Sequence, residues 1–278
     1  MRRHTLDGKR RQFAAHRERP NAVLAGSDVK LFFLLTYLKS NSLQQQQAAS
    51  FGVSQARVSQ LATALLGVLN QVLAEGRLLP VRDGAELAQR LAAHPEPVFA
   101  YDGVERGVPR NPDYDAQAEE YSAKKKGHRL KNMTLCDTAQ YVHYLSPTEG
   151  GRQHDKRLAD DYALHLPAGC VLRQDLGLLG HAPAGVVVEM PHKKPPKREV
   201  TFSRQLYNQL LSPLRVVIEH AHRGIKRLRM VADTVRLREE WRRDMVLVVA
   251  CRLHNLRGRS PLRAYPAPVP AKFSMSSE

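Results

Sequence analysis

The chain has 278 residues, 42% of them hydrophobic, with 43 Lys and Arg against 27 Asp and Glu, a formal charge of +16. This apolar fraction excludes wholesale disorder, and the length is enough for a small domain and a medium one. The basic excess favours a polyanionic partner. The longest apolar runs, 31–35 and 245–251, fall far short of the roughly 20 residues a membrane-spanning helix needs, so nucleic acid is the expected partner and a membrane is not.

Residues 1–26 read as a loose basic arm without the apolar segment of a signal peptide. From Ser27 to about residue 73 the pattern is helical. An apolar stripe at Leu31, Leu34, Leu35 and Leu38 defines a first helix, and residues 44–50 a short second one. A turn at 51–54 contains Gly52, and the third helix, 54–69, opens with Ser54 as N-cap. Short helix, Gly-containing turn and second helix make a helix-turn-helix pattern. Residues 74–96 read as a helical connector punctuated by prolines.

From Val98 the character changes. Residues 98–105 read as a strand, 106–117 as a loop, and 128–137 with 141–146 as a hairpin. Residues 153–166 read as a helix, 170–175 and 185–190 as strands, and 191–200 as a Pro-rich basic loop. Residues 201–230 are helical, with a start or kink at Ser212-Pro213, and 238–256 form a closing helix. The tail from Gly258 reads as loose. The expected organisation is an all-α helix-turn-helix domain (27–73), a connector (74–96) and an α/β domain (97–257) whose mixed sheet has helices on its faces.

Cys136, Cys170 and Cys251 are too far apart for a CxxC pair, so neither a zinc site nor a disulfide framework is indicated, and a reducing cytoplasm fits. His220 and His222 read as surface or polar-network residues. Three acids draw attention instead. Asp102 and Asp175 end apolar, strand-like runs, and tips of neighbouring parallel strands would be adjacent. Glu219 stands in a helical segment with Arg215, Arg223 and Lys226 on one face. Such a set would hold two divalent ions for phosphoryl transfer. On charge pattern alone, Glu219 reads more simply as an i,i+4 salt-bridge residue, and Asp137, Asp155, Asp160 and Asp161 remain competitors.

Motif runs add to this. FGVSQARVS, YDGVER, YSAKKKGHRLKN, HDKRLADD, LPAGCVLRQDLGLLG, PHKKP, SPLRVVIEHAHRGIKRLRMV and CRLHN follow one another between about residues 27 and 256. Together they resemble the DDE-superfamily transposases of bacterial insertion sequences, in the group related to Harbinger-like elements. The resemblance implies an RNase H-like fold preceded by the helix-turn-helix domain. It also implies Mg²⁺ or Mn²⁺, two ions, with Asp102, Asp175 and Glu219 as catalytic and metal-binding residues. The HDK run at 154–156 is then a family mark rather than a ligand, and Leu178 stands where an aromatic is usual.

The implied activity is binding of terminal inverted repeats, metal-dependent DNA cleavage and strand transfer, by a homodimer or higher oligomer on double-stranded DNA in the cytoplasm, at the nucleoid. Alternatives are a catalytically silent DNA-binding regulator and a nuclease of the same fold. DNA contacts are expected from Ser54, Gln55, Arg57, Ser59 and Gln60 in a major groove. Phosphate contacts are expected from Lys124, Lys125, Lys126, Arg129 and Lys131, from Lys193, Lys194, Lys197 and Arg198, and from Arg215, Arg223 and Lys226.

Overall fold

The computed structural model describes residues 22–76, 79–93, 97–195 and 199–258. Most of the expected N-terminal arm, the tail beyond 258, and Lys197 and Arg198 lie outside the described residues.

Helix α1 (Ser27–Ser40) buries Phe33, Leu34, Tyr37 and Leu38 and stops where Asn41 turns left-handed. Helix α2 (Gln44–Phe51) begins with the Gln46 side chain accepting from the Leu43 N–H at 3.1 Å. It ends at Gly52, whose φ of +61° costs a glycine nothing. Helix α3 (Gln55–Glu75) is capped by Ser54, whose Oγ accepts from the Arg57 N–H at 3.3 Å. It extends past the expected end at 69 because Leu73 continues the buried stripe begun by Val58, Leu61 and Leu65. Helix α4 (Gly84–Ala93) lies in the connector.

The sheet begins at β1 (Val98–Gly107). Helix α5 (Tyr114–Glu120) occupies part of the segment read as a loop, because the Asp113 carboxylate accepts from the Ala116 N–H at 2.8 Å and starts a helix there. The pair β2 (Tyr121–Ser122) is followed by β3 (Gly127–Asp137), β4 (Val142–Leu145) and β5 (Glu149–Gly150). Helix α6 (Asp155–Asp161) is shorter than the 153–166 reading. Strand β6 (Val171–Gln174), a 3₁₀ turn (Leu176–Leu178) and β7 (Val187–Glu189) follow. Helices α7 (Phe202–Ile225), α8 (Arg229–Ala232) and α9 (Glu240–Gly258) complete the described chain. Helix α7 continues through Pro213, where the carbonyl that loses its partner, Gln209, is on the exposed side and open to water.

The sheet is mixed, with strand order β2-β3-β1-β6-β7. Strand β1 is antiparallel to β3 and parallel to β6, and β6 is parallel to β7. Strands β2, β5 and β4 take successive stretches of the other edge of β3. Alternation sends Phe99 and Tyr101 to one face, where Leu87 and Leu91 of α4 and Leu158 and Ala159 of α6 cover them. Ala100 faces the other way, under Ile218 and Ala221 of α7.

The helical N-terminal region does not keep a core of its own. Phe33, Leu34, Leu61 and Leu65 belong to one apolar cluster with Met230, Val246, Leu247 and Val249 of α8 and α9, and with Val104 of β1. Among the described residues no helix is long and apolar enough to cross a membrane. All three cysteines are buried free thiols.

Candidate active site

The parallel pairing of β1 with β6 runs from Val98–Val171 to Tyr101–Gln174. Asp102 and Asp175 are the next residue on each strand, so the register brings the two acids side by side. Asp175 follows directly on its strand, which ends at Gln174, and caps the 3₁₀ turn. Asp102 does not end its strand, because β1 continues to Gly107 against β3; it lies instead at the first position beyond the parallel ladder.

The two carboxylates have different surroundings. Asp175 is half-exposed, accepts from the Leu176 N–H at 2.7 Å and pairs with Arg215 at 2.7 Å. Asp102 is partly buried and accepts from the Gly103 N–H at 2.8 Å. Burial pushes its pKa up to about 6; the carboxylates of Asp155 and Asp175 add to the rise, and the Gly103 N–H and Arg215 oppose it. Asp102 is thus a partly desolvated carboxylate with two further carboxylates in its field, a donor chemistry that fits a hard divalent cation.

Glu219 is exposed and makes no hydrogen bond or ion pair among the described residues. The i,i+4 salt bridges expected from spacing are not formed: Arg215 reaches across to Asp175 instead. Three residues after Glu219, His222 contacts Thr134, the cross-strand partner of Asp102. Glu219 is therefore bracketed by one side chain that touches Asp175 and another that touches the neighbour of Asp102. Among the described residues, no three His, Cys, Asp or Glu side chains stand together in a metal-holding cluster.

Residues 101–255, more than half of the chain, match the family described as DDE superfamily endonuclease. The chain belongs to this family. No curated protein and no solved structure matches it. In a DDE endonuclease the mixed sheet flanked by helices is an RNase H-like layer, here preceded by a helical region. Enzymes of the family generally use divalent metals, and a DNA substrate is implied.

The basic residues of this DDE endonuclease divide by environment. Lys124, Lys125 and Lys126 are exposed in the β2–β3 turn, with Lys126 left-handed at φ +49°. Arg129 and Lys226 are partly buried. Burial lowers the Lys226 pKa; the charges of Arg129 and Lys125 lower it further, and those of Glu105 and Asp102 oppose the fall. Arg223 is exposed on α7. Lys193 and Lys194 are exposed, Lys194 paired with Glu199 at 3.3 Å. On α3, Ser54, Gln55, Arg57 and Gln60 are exposed and Ser59 partly so, with the Arg57 guanidinium donating to the Gln60 side chain at 3.3 Å.

Lys131 departs from expectation. It is 5% exposed and its Nζ is held by Asp155 at 2.9 Å, Glu105 at 3.5 Å and the Gln153 carbonyl at 2.8 Å, so it cannot face a phosphate backbone. Its partner Asp155 is one of the acids that competed with the three in the sequence. In the fold its carboxylate lies where a Cβ on Gly103 or on Gly177 would come within 3.1 or 3.2 Å of it. Asp155 thus sits behind the two acid-bearing segments, admitted by a glycine next to Asp102 and another two residues after Asp175. No helical or strand periodicity could signal this, because the three elements meet only in the folded chain.

Proposed function

We propose that this protein is a DNA transposase of the insertion-sequence type, related to the Harbinger-like group, that cuts the ends of its element and transfers them to target DNA. The observation that carries the reading is the register that sets Asp102 beside Asp175 with α7, and Glu219 on it, laid over the same face of the sheet. Asp102, Asp175 and Glu219 are the catalytic and metal-binding residues, and Mg²⁺ or Mn²⁺, two ions, is the cofactor. When bound, the ions supply Lewis-acid stabilisation of the attacking and leaving oxygens.

The chain's own residues do the rest. Asp102 and Asp175 present oxygens from neighbouring strands of the sheet, and Glu219 completes the set from α7. Arg215 neutralises Asp175 in the absence of an ion and is free to turn to a phosphate when one is bound. Lys125, Arg129, Lys226 and Arg223 hold flanking phosphates through sequence-independent contacts. The exposed N-terminal end of α3, with Ser54, Gln55, Arg57, Ser59 and Gln60, reads base edges in the major groove of the terminal inverted repeats. Pairing two ends calls for at least a homodimer on DNA.

The test begins with the DNA flanking the gene. Short matching inverted repeats are expected on either side. A duplex carrying one should be bound and nicked at the repeat boundary, whereas a scrambled duplex of equal length should not. Specific binding without cleavage under Mg²⁺ or Mn²⁺ would instead favour a silent regulator, and cleavage indifferent to sequence a nuclease of the same fold.

A further inference from the structure

The face of α7 that carries Glu219 is tied to the backbone of Asp102 by two successive hydrogen bonds. The Thr134 hydroxyl donates to the Asp102 carbonyl at 3.0 Å, and Oγ1 of Thr134 lies 2.7 Å from Nε2 of His222. Thr134 and Asp102 are register partners on β3 and β1, so the link runs across the strand pair that carries the first acid.

The proton inventory sets the direction of the chain. A carbonyl only accepts, and a threonine hydroxyl has one hydrogen. Making both bonds therefore requires the hydroxyl hydrogen to point at Asp102 and His222 to donate Nε2–H to Oγ1. This fixes the Nε2–H tautomer, with Nδ1 bare. Burial, with Lys226 and His254 nearby, pushes the His222 pKa down to about 3, so the ring stays neutral in ordinary buffers. The surroundings hold the link in place: Ile218 and Ala221 pack on Ala100 and Cys136 beside it.

Glu219 is three residues from His222, on the neighbouring position of the same helix surface. Among the described residues it has no partner to fix its reach, whereas His222 has one. We infer that His222 and Thr134 form a positioning relay that sets the distance of Glu219 from Asp102, and through it the geometry of the metal-binding acids. Neither residue touches the ion or the DNA. The inference rests on the reading of the three acids as metal ligands, and concerns how the third is brought to the other two.

Two measurements test it separately from cleavage. In ¹⁵N-histidine-labelled wild-type protein without metal, His222 should show a protonated Nε2 and a bare Nδ1 throughout the neutral range; an Nδ1–H tautomer would overturn the relay. Calorimetric titration with Mn²⁺ in the absence of DNA then reads its effect. Thr134→Val and His222→Leu should each weaken Mn²⁺ binding roughly 10-fold, the scale seen when a residue supporting a ligand is removed. Thr134→Ser keeps the hydroxyl and His222→Gln keeps a donor, so both should retain near-wild-type affinity. The Val/Leu double variant should lose no more than either single, because both break one chain of bonds.

Wild-type Mn²⁺ affinity in the Val and Leu variants would overturn the inference. So would equal losses in the Ser and Gln variants, which would mark a general packing defect. Failure of the underlying reading looks different: Mn²⁺ binding would then be indifferent to Asp102→Ala in an otherwise wild-type chain.

Discussion

At the scale of single residues, the unequal surroundings of Asp102 and Asp175 decide how the site answers to pH. Asp102 holds its proton more tightly in the folded chain than in the unfolded one, because its pKa is raised to about 6. Its contribution to the stability of the metal-free protein is therefore fully present below the ordinary carboxylate range and is lost as pH rises through about 6. Under the proposed function an ion would compete with that proton, so Mn²⁺ affinity should fall as pH drops below about 6. Calorimetry across that range checks it, and an affinity that stays level would separate Asp102 from the ion. Arg215 gives a second prediction. It stands in for a cation on Asp175, through a pair whose side chains are 27% and 50% exposed. Such an exposed pair contributes about 0–1 kcal/mol to stability. Arg215→Gln should thus leave the melting temperature nearly unchanged, tighten Mn²⁺ binding without DNA, and weaken binding of duplex DNA.

At the scale of elements, α7 is the part on which the site depends most. It packs on β1 through Ile218 and Ala221 and runs close to α9 at Gly224, where a Cβ would collide with the buried His254 ring. His254 is itself anchored, its Nε2 bonded to the Gln140 carbonyl at 2.8 Å. Gly224→Ala should therefore overpack this crossing and destabilise the protein by about 1–3 kcal/mol, measurable by urea denaturation. Much of this element structure was legible in the sequence. The N-terminal helices, the hairpin of 128–137 with 141–146, the strand before Asp175 and the long helix around Glu219 all follow from apolar periodicity and capping residues. Short-range pattern was less informative where pairing is long-range. The two-residue strands β2 and β5 exist only because β3 offers them an edge. The burial of Lys131 depends on Asp155, 24 positions away, and so escaped a reading that took the basic run as one set of phosphate contacts. The adjacency of Asp102 and Asp175 was conditional on parallel neighbours, a condition that β1 and β6 meet. The Thr134–His222 contact joins residues 88 positions apart and left no signal in either segment.

At the scale of the whole molecule, the shared core is the consequential feature. Leu61 and Leu65 of α3 pack in one cluster with Val246, Leu247 and Val249 of α9, which in turn flank the sheet. The N-terminal helices and the endonuclease part should therefore unfold together, in one transition seen alike by circular dichroism and by calorimetry. A chain lacking the first three helices should expose the α8–α9 face and aggregate. This coupling also gives the exposed end of α3 a firm base, so that under the proposed function DNA bound there would be held in a fixed relation to the acids. The central claim is that Asp102, Asp175 and Glu219 hold the ions that cut DNA. The most direct measurement is Mg²⁺-dependent cleavage of an end-containing duplex by the wild-type protein and by Asp102→Ala, Asp175→Ala and Glu219→Ala, each first shown to be folded and to bind the duplex. The account predicts cleavage by wild type alone; unimpaired cleavage by any of the three variants would contradict it.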